Sequence, residues 1–403
     1  MSSRVASTLI HSSASSISLL AGLPSSNPMA GQLCRVGVSR GQPVHLYHEV
    51  HGTGKHKVLF ITGWAGSCDN WRFQTDFFGK HGDFEVCIYE NRGSGLSSAP
   101  FSKYRMVDMA NDAKDLLLHL GWDKCHVVGV SMGGMIAQEL ALLLPNTLSS
   151  LFLASTHAGM ALPPSKHIPR LMSLFAQVSL GLIEIKHHIP KLLYSNKWLE
   201  NSAPIGSGCK TNFDYMLKFH SGRVESRPPQ SFRAAIAQLW GICRHSVSQE
   251  RLTELRSHLQ ATSIPAMVVH GTEDCLVHSR NAYQLSKQIG AQLVLFEGRG
   301  HAMNHEDIVL FNALLLRHFY TAISGDQEQA ATLSGWSSLC TALGLRAAKL
   351  SSTLSSLFNS NSDERLSQLI DGRIDKDSPF IEVVPCTDEK TQIDNSKKIT
   401  SHL

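Results

Sequence analysis

Residues 124–138 read KCHVVGVSMGGMIAQ. An apolar β-branched run, CHVVGV at 125–130, ends at Ser131, and a stretch of small residues and helix formers follows at once. A strand that enters a helix through G-x-S-x-G must turn sharply. Gly129 and Gly133 suit that turn because side chains there would crowd it. A serine so placed sits on a strained backbone with its hydroxyl exposed above the sheet. A structural serine needs no such setting and a nucleophilic one does. The bland alternative is a glycine-rich helix entry without chemistry. The pattern alone is common, so its strand and helix flanks carry the weight.

Working outward, the same texture repeats. VHLYHEV (44–50), KVLFITG (57–63), FEVCIYE (84–90), LSSLFLAST (148–156), PAMVVHG (265–271) and AQLVLFEG (291–298) are short β-rich runs. Several are apolar on both faces, as buried parallel strands are. Between them lie helical patterns such as MVDMANDAKDLLLHL (106–120), with apolar residues recurring at three and four. The alternation predicts an α/β fold, a mostly parallel sheet with helices on both faces. It breaks between residues 156 and 264, a largely helical stretch rich in Pro and His. The expectation is a helical cap at 158–260 inserted between core segments 34–157 and 261–323. Within it, Pro228 and Pro229 precede SFRAAIAQLWGICRH, which reads as a helix capped by Ser231.

The chain of 403 residues is 42% hydrophobic, ample for a full core, and its net charge of +4 is small. It has no basic stripe interleaved with aromatics, so nucleic acid is not an expected partner. Nine scattered cysteines without a C-x-x-C pair argue against a disulfide framework or zinc site, and fit a reducing compartment. No metal and no cofactor are expected. No apolar run reaches the length of a membrane span. Residues 1–33 are Ser-rich without an acid, which reads as a disordered terminus. The cytoplasm is the expected location, with a plastid or mitochondrial transit peptide as the alternative. Met29 offers a second possible start. In the tail, 324–403, Leu333, Trp336, Cys340, Leu343, Ala347, Leu350, Leu354 and Leu357 form one apolar seam of a helix over 332–358. Its opposite face is mainly Ser, Thr and Gly, a pattern shared with peripheral membrane helices, although docking on protein is the commoner use. The remainder of the tail reads as disordered, without strand pattern.

A serine hydroxyl at neutral pH needs a base and an acid that orients the base. With 21 histidines, position must select. In a parallel sheet, chemistry gathers at the carboxyl ends of the strands. His301 follows VLFEGRG just beyond one strand, and Asp274 follows MVVHGTED just beyond another. The order Ser131, Asp274, His301 is the one this architecture uses. Glu273 is the neighbouring rival for the acid. His270 reads as core, His305 as pointing away, and His157 as lining the mouth of the site. Two backbone N–H donors should face the developing oxyanion, one from Met132 and one from Trp64 in TGWAGS.

Five segments, GWAGSCDNW, YENRGSGLSS, VVGVSMGGMIAQ, VVHGTEDCLV and EGRGHAMNHE, stand in the order found in the α/β-hydrolase fold superfamily. Over roughly residues 36–323 the chain resembles that family, in particular its plant-like and enol-lactonase-like branch. The resemblance implies a serine hydrolase acting on a small or medium ester, lactone or thioester through an acyl-enzyme. A slowly hydrolytic ligand receptor on the same fold is the alternative. The sequence departs from the family at Thr62-Gly63, where His-Gly is usual, and at Glu90, where Asp is usual. Glu306 stands where acyl-transferring relatives carry Asp, which gives that activity no support. Met160, Phe175 and Trp240 of the cap, with His157, are the expected pocket residues. The oligomeric state is not readable.

Overall fold

The sheet orders itself by which runs can be buried on both faces. In the computed structural model, which describes residues 31–102, 104–159, 164–169, 173, 187–228, 230–324 and 381–384, nine strands form one sheet. They are β1 (Gln32–Val36), β2 (Val44–Gly52), β3 (His56–Ile61), β4 (Phe84–Tyr89), β5 (Cys125–Val130), β6 (Leu148–Ala154), β7 (Ala266–Gly271), β8 (Gln292–Phe296) and β9 (Ile381–Val384). Their order is β1-β2-β4-β3-β5-β6-β7-β8-β9. The strands from β3 to β8 run parallel, and β1, β2 and β9 pair antiparallel at the two edges. The expected α/β class therefore holds, with a parallel centre.

Alternate residues of each central strand serve opposite layers. In β3, Leu59 and Ile61 join one core cluster and Val58 and Phe60 the other. The first cluster takes helices Met106–Leu120, Met132–Leu143 and Arg280–Ile289. The second takes Arg72–Phe78 and Ile308–Ser324. Register then brings the carboxyl ends level: Ile61 lies beside Gly129, Val130 beside Ala154, and Gly271 beside Phe296. The loops that follow these strands converge along one rim.

Three expectations change. The helix Gln249–Ala261, assigned above to the cap, belongs to the core layer. Leu252, Leu255 and Leu259 are buried with Leu140, Leu285 and Ile289, an apolar edge that a cap helix would have nowhere to hide. The cap's described helices are Ile189–Leu193, Asn196–Glu200, Asn212–Ser226 and Phe232–Arg244. The helix at 232–244 begins as predicted: Ser231 Oγ accepts a hydrogen bond from Ala234 N at 3.3 Å. Second, β1 precedes the first expected strand. Third, the tail carries β9, paired with β8, where no strand pattern was visible. The tail helix over 332–358, the first thirty residues, and pocket candidates Met160 and Phe175 lie outside the described residues. Among the described residues no helix is long and apolar enough to cross a membrane.

Candidate active site

Ser131 closes β5 and caps the helix Met132–Leu143 with φ 56° and ψ −121°. A non-glycine residue holds that backbone only when its surroundings over-determine it. They do so here. Ser131 N–H donates to Ala154 O at 2.9 Å, and its carbonyl accepts from Thr156 Oγ1 at 2.8 Å and from Gly134 N at 2.9 Å. The glycines leave the required room. A Cβ on Gly133 would lie 2.2 Å from Ile61 O, and one on Gly129 would lie 2.3 Å from Gly133 O. A Cβ on Gly63 would come within 3.2 Å of Ser131 Cβ, so the loop after β3 lies directly against the serine.

His301 sits in the loop after β8, and its Nδ1 donates to Asp274 Oδ2 at 2.7 Å. A carboxylate acceptor places the proton on Nδ1 and leaves Nε2 as the basic nitrogen. The Asp274 side chain is fully buried in the loop after β7. Its Oδ1 accepts Leu276 N at 2.8 Å and Val277 N at 3.0 Å. Burial works to raise its pKa. The charge of His301, with hydrogen bonds from His270 and His301, overcomes this and holds Asp274 well below the usual carboxylate range. Glu273, the rival acid, is turned away and only its backbone N–H is engaged, with Arg299 O at 2.8 Å.

The loop after β6 fastens these parts together. Ser155, at φ 46°, donates its hydroxyl to His301 O at 2.7 Å, and the next residue, Thr156, holds Ser131 O. Two successive side chains thus tie the serine turn to the histidine loop. Sequence reading missed both, although a Ser-Thr pair directly after a buried strand is a visible signal. It also assigned His270 to packing alone. His270 is fully buried, but its Nε2 lies 3.1 Å from Asp274 Oδ2 and 2.9 Å from Val277 O. That geometry makes it a second imidazole on the acid.

Met132 occupies the first position of its helix, so its N–H has no intrahelical acceptor. Trp64 follows Gly63 on the opposing loop. The loop is gripped by the cap helix Phe232–Arg244: Trp64 Nε1 donates to Ala235 O at 3.0 Å, and Ala65 N donates to Gln238 Oε1 at 3.2 Å. Gln238 is fully buried, and its amide nitrogen donates to Arg92 O at 2.9 Å and Ser94 Oγ at 3.0 Å. From the other side, Asn91 Nδ2 donates to Thr62 O at 3.0 Å.

Two pocket expectations are corrected. Trp240 is half exposed on the outward face of its helix, opposite the buried edge Ala234, Gln238 and Gly241. His157 is buried against Ala158, Gly159, Val247, Asn281 and Gln284 around a separate cavity of about 150 Å³. Burial lowers its pKa to about 4. His305 points away as expected, toward Tyr194 Oη at 2.8 Å and Asn70 O at 2.8 Å. Glu90 supports structure: it is buried and paired with Arg227 of the cap at 2.9 Å. Among the described residues no group of three His, Cys, Asp or Glu side chains is placed to hold a metal ion.

Residues 57–308 match the family described as alpha/beta hydrolase fold, and the chain belongs to that family. It is 26% identical over 300 residues to an uncharacterized protein of Mycobacterium tuberculosis, covering 72% of this chain and 83% of that one. It is 26% identical over 279 residues to a protein named putative carbamate hydrolase RutD from Variovorax paradoxus, covering 67% and 94%. Among solved structures, the thermophilic esterase from Thermogutta terrifontis superposes with a TM-score of 0.56 at 22% identity, covering 72% of this chain and 99% of that one. The enol-lactonase from Burkholderia xenovorans gives 0.56 at 18% identity, covering 72% and 100%.

Proposed function

We propose that the protein is a serine hydrolase of small or medium carboxylic esters, lactones or thioesters. Ser131 Oγ attacks the substrate carbonyl and His301 Nε2 takes its proton. Asp274 holds the imidazole with the proton on Nδ1 and stabilises the imidazolium that forms. The N–H groups of Trp64 and Met132 receive the oxyanion. The alcohol or thiol leaves with the proton from His301. Water, deprotonated by the same imidazole, then releases the acid from Ser131.

The observation that carries this reading is the serine at φ 56° and ψ −121° on a strand-to-helix turn, joined through Thr156 and Ser155 to a histidine bonded to a buried carboxylate. A relative named putative carbamate hydrolase is in keeping with attack on an acyl carbonyl, and the fold is shared with solved structures titled an esterase and an enol-lactonase. The test is labelling by a fluorophosphonate probe, followed by a panel of esters, lactones and thioesters. The wild type is expected to label stoichiometrically and Ser131→Ala not at all. Labelling that persists in the Ala variant removes Ser131 as nucleophile.

A further inference from the structure

The large exposed aromatic side chains among the described residues are Trp64, Phe101, Phe232 and Trp240, and contacts link them around one cap helix. On Phe232–Arg244, Ala234, Gln238 and Gly241 face the core, while Phe232, Ile236 and Trp240 recur every fourth residue along the opposite, exposed edge. An apolar edge normally faces inward. Here a second one faces out, with Phe232 66% and Trp240 50% exposed. Trp64 extends the patch to the serine's own rim through its bond to Ala235 O. Phe101, 83% exposed, extends it on another side beneath Arg233, whose guanidinium lies 4.5 Å from the ring. Arg244 rides over Trp240 at 5.3 Å.

Along this helix and its flanks the charge has one sign. The sequence from Pro228 to Gln249 contains Arg233 and Arg244 and no carboxylate. We propose that this face docks the protein on an anionic lipid surface. An exposed apolar helix edge can lie along a flat boundary. Aromatic rings settle at the level of lipid headgroups, and guanidinium groups beside them pair with phosphates there. A second copy of the chain fits less well, because it would set Arg233 and Arg244 against like charges with no acid between Pro228 and Gln249 to offset them. The proposal concerns the outer edge of the cap helix, which reaches the candidate site only through the Trp64 side chain, and does not depend on what that site cleaves.

The test is flotation of the full-length protein with phosphatidylcholine vesicles, with and without phosphatidylglycerol. Binding is expected with the anionic vesicles, weaker with phosphatidylcholine alone, and reduced by added salt. Replacing Phe232, Ile236 and Trp240 together by Ser should weaken it at least about tenfold. These side chains are exposed, so the thermal midpoint and circular dichroism should stay close to wild type. If that variant does not fold, Arg233→Gln with Arg244→Gln decides instead and should lose the preference for anionic vesicles. Equal flotation of variant and wild type, or no flotation of the wild type, overturns the proposal. So does a concentration-dependent dimer that the same substitutions abolish.

Discussion

Gln238 is an amide placed to influence the proposed reaction without touching its substrate. Its oxygen receives Ala65 N–H and Gln230 Nε2–H, and its nitrogen serves Arg92 O and Ser94 Oγ, so its bonds hold the peptide next to the proposed oxyanion donor. Gln238→Leu keeps the bulk and removes every bond. On the proposed reaction kcat should fall by about tenfold to a hundredfold with KM little changed, because a misaimed donor weakens the transition state more than the ground state. Steady-state kinetics on any ester turned over by the wild type checks this. Glu306 carries a different signature. Burial raises its pKa from the ordinary 4.5 to about 7, against bonds from Gly300 N at 2.7 Å, Ser195 Oγ at 2.8 Å and Ser195 N at 3.1 Å. Its folded pKa is raised, so the stability it contributes is complete below about pH 4.5 and is lost as pH climbs through 7. Glu306→Gln should therefore gain stability relative to wild type at pH 8, by no more than about 3 kcal/mol, and show little difference near pH 4. Denaturant unfolding at the two pH values measures it. Neither residue was legible in the sequence as an anchor. A lone Gln in a helix and a Glu after a histidine give no sign of their partners, which come from distant segments.

Elements were far more legible than their partners. Strands β3 to β8 announce themselves as mostly apolar runs because burial on both faces demands consecutive apolar residues, and β2 by its alternation. The turn at Ser131 was readable because three constraints, a strand, a tight bend and a helix, coincide within ten residues. Asp274 and His301 followed from their places just past β7 and β8. The cap's inner face was not readable, since its packing depends on where each helix lands, and Trp240 was placed on the wrong side for that reason. The same holds for Arg227, at the end of helix Asn212–Ser226. Its guanidinium meets Glu49 at 2.9 Å, Asp69 at 2.8 Å and Glu90 at 2.9 Å, three carboxylates from separate parts of the core. Arg227→Met would leave buried Glu90 without its cation, and such losses cost about 3–5 kcal/mol. A lowered thermal midpoint is expected, with cleavage by trypsin appearing first within residues 187–245, and limited proteolysis with mass spectrometry would find it. Unchanged cleavage kinetics would mean that the cap is held by other contacts.

At the scale of the whole chain, the tail is joined to the sheet. β9 hydrogen-bonds along β8, from Phe296 opposite Ile381 to Leu293 opposite Val384, and so covers an edge. An uncovered strand edge invites pairing with other chains. Ending the chain at Ser324 should leave the fold intact but raise aggregation on storage, read by light scattering, and restoring a segment that spans β9 should reverse it. The tail's strand was invisible beforehand because four residues of an edge strand carry too little pattern against a polar background. A last consequence concerns transplantation. The helix that presents the outward aromatics is the one whose other side grips Trp64 and Ala65. Lids borrowed from related proteins to alter substrate choice would thus arrive without the correct grip on the peptide at Trp64 and Ala65. Chimeras should succeed only when the segment after β3 travels with the foreign lid.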